Sequence, residues 1–242
     1  MKVFAASDLH LSFAGPVDLM ALDQVPMYKP MDVFGPHWQN CYQKIYDHWN
    51  DMVSEEDWVL MPGDLSWAMT LEECRYDFDF ISRLKGKIIL IRGNHDYWWQ
   101  GIGKVKKALP ANVYALQHDS LVVGSKVVCG SRGWILPGSN EWTEADNRIY
   151  LRELLRLEMS LLEAKKASLP IIVMMHYMPA LRPDQPSGFT QLMQQYQVDS
   201  CIYGHLHGDA ASRKIEGEYW GIRFYNASID LLDFQPKIIW QE

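Results

Sequence analysis

Lys87-Ile88-Ile89-Leu90-Ile91-Arg92-Gly93-Asn94-His95-Asp96 sets the pattern by which the whole chain can be read. An apolar, β-branched run stops abruptly at a glycine followed by an amide, an imidazole and a carboxylate. A short run with no polar alternation reads as a strand covered on both faces. The pattern recurs where 3–6 lead into Ser7-Asp8-Leu9-His10, 58–61 into Pro62-Gly63-Asp64, 171–175 into His176, and 199–203 into Gly204-His205-Leu206-His207-Gly208. These buried strands deliver polar residues at their carboxyl ends, where open α/β sheets place their ligand sites.

Helical patterns fill the intervals at 37–54, 70–84, 97–109, 144–167 and 187–196. Thr70 with Glu73 forms a capping box, and Gly86 lies just past that helix. Within 144–167, Leu151, Leu154, Leu155, Leu161 and Leu162 make a stripe broken by Glu158, which is expected to face the core. Segment 121–129, interrupted by Gly124-Ser125, reads as a β-hairpin, and 218–225 and 236–240 as further strands. The fold class is α/β. If the polar strand ends form one site, no linker can separate them, so 1–242 is a single domain. Segment 11–36, with prolines at 16, 26, 30 and 36, has no clear element and is expected to be a lid or insertion.

The 242 residues carry 23 Lys and Arg against 30 Asp and Glu, a formal charge of −7, and 48% are hydrophobic. That balance supports a sizeable core and excludes disorder and collagen-like repeats. Net acidity repels phosphate backbones and anionic membranes, which argues against nucleic acid as a partner and means that phosphate chemistry would need cations. Cys41, Cys74, Cys129 and Cys201 form no C-x-x-C pair and read as reduced, buried thiols. No signal peptide or membrane-length apolar stretch is evident, so a cytoplasmic location without membrane attachment is the expectation.

The polar strand ends collect Asp8, His10, Asp64, Asn94, His95, His176, His205 and His207. Imidazole, carboxylate and amide oxygen without thiolate suit Mn²⁺, Fe or Zn²⁺. Seven donors exceed the needs of one ion and suit two if a carboxylate bridges them. Two cations roughly 3.5–4 Å apart can activate a shared hydroxide and clamp phosphoryl oxygens. His95 is then left as an acid. Adjacent side chains in an extended segment point to opposite sides, so only one of Asn94 and His95 readily faces the same ion. Asp96 either orients a site residue or N-caps the next helix, and the cap is preferred. Trp98 and Trp99 read as core packing. Arg132, at a strand end, is a candidate to neutralise a substrate phosphate.

Asp-Leu-His at 8–10, Gly-Asp at 63–64, Gly-Asn-His-Asp at 93–96, His at 176 and Gly-His-Leu-His at 204–207 resemble, in that order, the calcineurin-like metallophosphoesterase superfamily. The resemblance implies two packed mixed β-sheets flanked by helices. It implies that Asp8, His10, Asp64 and His207 hold one metal ion and that Asp64 bridges to a second, completed by Asn94, His176 and His205. His95 would stabilise the transition state and protonate the leaving oxygen. Two divalent ions follow, with Mn²⁺ preferred over Fe or Zn²⁺. The Gly-Asp-x-x-Asp-Arg extension of the protein Ser/Thr phosphatase branch is absent, since Leu65-Ser66-Trp67 follow Asp64. The expected substrate is therefore a small phosphomonoester, phosphodiester or pyrophosphate, as in small bacterial phosphoesterases. A nuclease would need a basic track that the net charge does not favour. A non-catalytic scaffold would typically have lost a ligand or the acid, and all eight positions are intact.

Overall fold

The five expected strands all form in the computed structural model, which describes residues 1–242. Strands β1 (Lys2–Ala5), β2 (Trp58–Met61) and β3 (Lys87–Leu90) are separated by helices α1 (Cys41–Met52) and α2 (Arg75–Ser82). Helix α3 (Ile102–Ala108) leads to a short β4 (Val113–Ala115), then to the hairpin of β5 (Ser120–Val123) and β6 (Lys126–Ser131). After α4 (Glu144–Lys165) come β7 (Ile171–Met175), α5 (Gly188–Gln195) and β8 (Val198–Tyr203). The chain ends with β9 (Gly217–Tyr219), β10 (Ile222–Asn226) and β11 (Lys237–Gln241).

Two mixed sheets result, in the orders β11-β1-β2-β3-β4 and β5-β6-β7-β8-β10-β9. In each the central strands are parallel and the antiparallel members lie at the edges. Alternate residues of a strand point to opposite faces, and both faces are covered. Val3, Ala5, Leu60, Ile89 and Ile91 meet Val128, Ile172, Met174 and Ile202 between the sheets. Their neighbours Phe4, Val59, Met61, Ile88 and Leu90 pack outward with Ile45 and Trp49 of α1, Phe80 and Ile81 of α2 and Val105 of α3. Across the molecule, Val173 and Met175 join Leu157 and Leu161 of α4 and Phe189 of α5. Each buried aliphatic side chain contributes roughly 1.5–3 kcal/mol, which is why the strands read as unbroken apolar runs.

Beyond β1, Ser7 N–H donates to Ala227 O at 2.7 Å, and Ile229 N–H donates to Ser7 O at 3.0 Å. The chain leaving β10 is thus bonded to the chain leaving β1, and this joins the two sheets at their carboxyl ends. The four cysteines are free and buried. Burial pushes the Cys41 and Cys129 thiols up to about 12.

Several expectations require correction. Helix α2 starts at Arg75 rather than at residue 70: of the expected capping box Glu73 N–H does donate to Thr70 Oγ1 at 3.2 Å, but the Glu73 carboxylate accepts from Met69 N–H instead of Thr70 N–H, and 71–74 stay in turns. Segment 218–225 divides into β9 and β10 at Trp220-Gly221, where φ is 56° and 74°. On α4 the buried face is Tyr150, Glu153, Leu157, Ser160, Leu161 and Ala164, whereas Leu151, Leu155 and Leu162 are exposed. Polar anchors orient this helix. Ser160 Oγ donates to Asp119 O and accepts from Gly130 N–H, and Glu153 pairs with Arg156.

Segment 11–36 contributes Leu11, Phe13, Leu22, Val25 and Met31 to the core. It is tied down by Asp77 of α2, which accepts from Phe13 N–H at 2.9 Å and from the Ser66 hydroxyl. Burial pushes the Asp77 carboxyl from 3.8 up to about 7, outweighing the hydrogen bonds from Ser66 and Phe13 that lower it. Between these two values the folded chain keeps a proton that the unfolded chain has released, so this group's contribution to stability falls as pH rises across that window. Asp77→Asn cannot ionise and keeps the shape. Its melting temperature relative to the parent is expected to climb between pH 4 and pH 7; a difference independent of pH would refute this role for Asp77.

Candidate active site

The polar strand ends converge where the sheets are joined, and the backbone there is unusual. Asp8, His10, Asp64 and His205 have φ of 61°, 48°, 52° and 72°. Left-handed backbone costs a non-glycine residue on the order of 1–3 kcal/mol, and Asp and His are among the types that tolerate it. These turns aim consecutive motif residues at one point. Close approach explains two glycines. A Cβ on Gly93 would collide with the Asp64 carboxylate, and one on Gly204 with the Asp8 carboxylate.

His10 Nε2 and His207 Nε2 face each other at 3.4 Å. Asp8 Oδ1 lies 3.7 Å from His207 Nε2, and Asp64 Oδ2 lies 3.9 Å from His10 Nε2 and 3.4 Å from His176 Nε2. Asn94 Oδ1 is within hydrogen-bond distance of His176 Nε2, and His205 Nδ1 is 3.2 Å from the same atom. The structure therefore brings the seven expected donors together: five form two overlapping groups, Asp8, His10 and His207, and Asp8, Asp64 and His176, while Asn94 and His205 adjoin through His176 Nε2. The ring tautomers suit metal ions. His207 Nδ1 is paired with Asp230 at 2.8 Å and His176 Nδ1 with Pro62 O at 3.0 Å. With those nitrogens donating, Nε2 of each ring, when neutral, presents a lone pair toward the other donors, an arrangement that a cation satisfies.

Charge is concentrated here. Burial lowers the pKa of His207, yet hydrogen bonds to Asp230 and Asp8 prevail and raise it to about 10. Burial drives His176 down to about 3 and His205 to about 4, despite the Asp8 charge. For Asp64, burial and the charges of Asp96 and Asp8 push the carboxyl well above its ordinary range. His207 is thereby held protonated while His176 and His205 stay neutral, so the positive charge among these rings and carboxylates rests on His207.

Asp96 is not a helix cap. It is fully buried and accepts from the backbone N–H groups of Gly93, Asp64, Leu65 and Ser66 at 2.7–3.2 Å, and from Trp98 Nε1 at 3.0 Å. It clamps the turn carrying Asp64 to the turn carrying Asn94, and 97–101 stay irregular so that α3 begins only at Ile102. Trp98 and Trp99 are buried, as expected of core. Sequence reasoning missed Asp230 and Trp67. Asp230 lies four residues past β10, in a short 3-10 turn over Ile229–Leu232, and lacks the abrupt end of an apolar run that found the others. Trp67 stacks on His10 with ring centroids 4.6 Å apart, and no local pattern announces it.

The donors floor a cavity of about 310 Å³, on which His10, Asp64, His95, His205 and His207 face. Met31, Phe34, His37, Trp38 and Trp67 complete its wall. His95 is half-buried, its N–H donating to Asp64 Oδ1 at 2.8 Å and its Nδ1 3.4 Å from the Tyr97 hydroxyl. Burial and the Lys29 charge hold its pKa below the ordinary value. Arg132 is not brought here. Its guanidinium lines a different cavity, near Glu153, so the expectation that it neutralises phosphate at the metal donors is not supported by its position.

The family model of calcineurin-like phosphoesterases matches residues 1–209. The chain belongs to that family. Membership makes it a hydrolase of phosphate esters, in a family implying divalent metal ions that the donor set fits. The uncharacterized protein MJ1445 of Methanocaldococcus jannaschii is 26% identical over 131 residues, covering 52% of this phosphoesterase and 69% of MJ1445. The crystal structure of the protein of unknown function AQ665 from Aquifex aeolicus superposes with a TM-score of 0.51 at 14% identity, covering 98% of this chain and 95% of its own, a likeness of fold. A novel archaeal phosphodiesterase aligns with a TM-score of 0.42 at 15% identity, over 94% of this chain and 84% of its own. No helix of the phosphoesterase is long and apolar enough to cross a membrane.

Asp230 touches the proposed ligands only through the His207 ring. Removing such an outer partner typically weakens metal binding about 10- to 100-fold. Asp230→Asn is expected to fall in that range when titrated with Mn²⁺ by calorimetry, with the fold intact by circular dichroism. Unchanged affinity would remove Asp230 from the site.

Proposed function

We propose that the phosphoesterase hydrolyses a small phosphomonoester, phosphodiester or pyrophosphate at a centre of two divalent ions, with Mn²⁺ the first candidate. Asp8, His10, Asp64 and His207 would hold one ion, and Asp64, Asn94, His176 and His205 the other. The observation that carries this reading is the position of Asp64 Oδ2, which faces His10 Nε2 at 3.9 Å and His176 Nε2 at 3.4 Å while Oδ1 accepts from His95 N–H. One carboxylate oxygen between two donor groups is what a bridge requires. Asp8 Oδ1 also approaches two imidazoles, but the His176 atom it nears is Nδ1, at 3.9 Å, which is committed to Pro62.

Ions bound there would supply water activation at neutral pH and neutralise phosphoryl oxygens. The chain's own groups do the positioning. In the protonated His95 ring, which phosphoryl charge beside it favours, Nδ1–H donates to the Tyr97 hydroxyl oxygen and Nε2–H is left for the leaving-group oxygen. Met31, Phe34, Trp38 and Trp67 give the cavity an apolar side, which suits an ester with an organic leaving group. Segment 11–36 supplies two of those residues and acts, in this reading, as the wall or lid that selects substrate.

Metal analysis combined with a panel of phosphomonoesters, phosphodiesters and pyrophosphate tests the assignment. Asp64→Asn should lose both turnover and metal. A variant that retains two ions per chain and near-parental turnover would exclude Asp64 as the bridge.

His95→Asn separates acid from ligand. A positioned acid is worth about 10²–10⁴ in rate, concentrated on leaving groups that need a proton. The variant should keep its metal content, lose most turnover on alkyl esters and lose less on p-nitrophenyl esters. Equal losses on both, or loss of an ion, would reassign His95.

A further inference from the structure

A second cavity, of about 220 Å³, lies beyond the carboxyl ends of β3, β4 and β6, beneath α4, and is lined by none of the proposed metal ligands. It is far larger than the roughly 10–15 Å³ that a single water needs. Its wall carries three guanidiniums, Arg92, Arg132 and Arg156, and one carboxylate, Glu153.

The simplest explanation of such a cluster is that the arginines neutralise Glu153, whose side chain is 1% exposed. Arg156 does so, with Nη1 2.6 Å from Glu153 Oε1. Arg152, outside the cavity, reaches the same oxygen at 3.6 Å. Arg132 stands off at 3.7 Å, beyond hydrogen-bond reach. Arg92 takes no part: it makes no ion pair and no side-chain hydrogen bond, and its Nε, like that of Arg132, is buried without a partner. Buried donors of this kind call for an acceptor. Burial lowers the Arg132 pKa even with Glu153 nearby, and repulsion from Arg92 and Arg152 adds to the shift. His118, also on the wall, is held below its ordinary value by burial and by Arg156, so it adds no charge at neutral pH.

We propose that this cavity binds a phosphate group, free or esterified, at a site separate from the metal donors. Guanidinium forks match phosphate oxygens two at a time. The lining holds two positive charges in excess over Glu153, and a phosphate dianion complements that excess better than a carboxylate does. Selectivity for an anion on a chain of net charge −7 has to come from such a local excess. The cavity adjoins the active centre through backbone alone. Arg92 directly precedes Gly93-Asn94, and Arg132 O accepts from His176 N–H at 3.1 Å and from Tyr177 N–H at 3.0 Å.

The test is calorimetric titration of the full chain, as purified, with inorganic phosphate and separately with phenylphosphonate, a non-hydrolysable stand-in for an ester. The parent, Asp64→Asn, Arg92→Gln, Arg92→Lys and Arg156→Gln are compared. A saturable event should appear in the parent and persist in Asp64→Asn, since it does not depend on the metal donors. Arg92→Gln and Arg156→Gln should weaken it by at least about tenfold, the effect of losing a charge-assisted pair of hydrogen bonds. Arg92→Lys, which keeps charge without the fork, should weaken it less. Because Arg92 has no partner in the fold, Arg92→Gln should melt at the parental temperature. Saturation by inorganic phosphate assigns a free ion, and saturation by the phosphonate alone assigns an esterified one. Saturation by neither, or binding that Arg92→Gln leaves unaltered, overturns the proposal.

Discussion

The negative charge of Asp8 and Asp64, buried to 0% and 1% exposure at the carboxyl ends of neighbouring parallel strands, is the constraint on which the rest depends. A carboxylate removed from water costs several kcal/mol unless it is paired and hydrogen-bonded. Backbone N–H groups answer part of that demand, from His205 onto Asp8 and from His95 onto Asp64. The remaining oxygens look into the same space as the Nε2 atoms of His10, His176 and His207. Carboxylate oxygens and imidazole nitrogens converging in this way form a set that cations would reconcile. The left-handed turns at four of the donors, and the two glycines whose side chains would collide with the carboxylates, are local costs of bringing that much charge to one point.

Around these donors lie two further carboxylates that act on backbone and ring rather than on substrate. Asp96 spends its oxygens on one indole and four backbone N–H groups, and burial pushes its carboxyl up to about 6 against their pull. It turns two separate strand ends into one rigid unit. Asp230 orients His207. Both lie behind the donors, Asp96 in the polar cluster past β3 and Asp230 in the 3-10 turn past β10, and each fixes groups that face the site.

Much of the architecture is legible in the sequence. Val3 to Ala6, Trp58 to Met61 and Ile171 to Met175 are unbroken apolar runs because helices and a facing sheet cover both sides, and that signal is local. The seven donors were legible for a related reason, since polar residues that end an apolar strand have few structural uses there. The orientation of α4 was not. Its leucines at 151, 155 and 162 are spaced like a core stripe, yet Glu153 and Ser160 turn inward, held by Arg156, Gly130 and Asp119. Hydropathy cannot see a helix face fixed by buried polar bonds. Asp96 was misread because a cap and a clamp begin with the same residue, and its partners at 64 to 66 are distant in the chain.

By itself, then, the order of residues determined the elements, the α/β class and the chemistry offered at each strand end, because periodicity and side-chain type act over a few neighbouring positions. Only the tertiary structure decided which groups meet. Ser7 bonds with Ala227 and Ile229 across more than two hundred positions, and that junction carries His205 and His207 to Asp8. The same packing sends Arg132 away from the donors to share a cavity with Arg92 and Glu153. Distances between side chains far apart in sequence depend on how the sheets close on each other, and no local pattern encodes that closure.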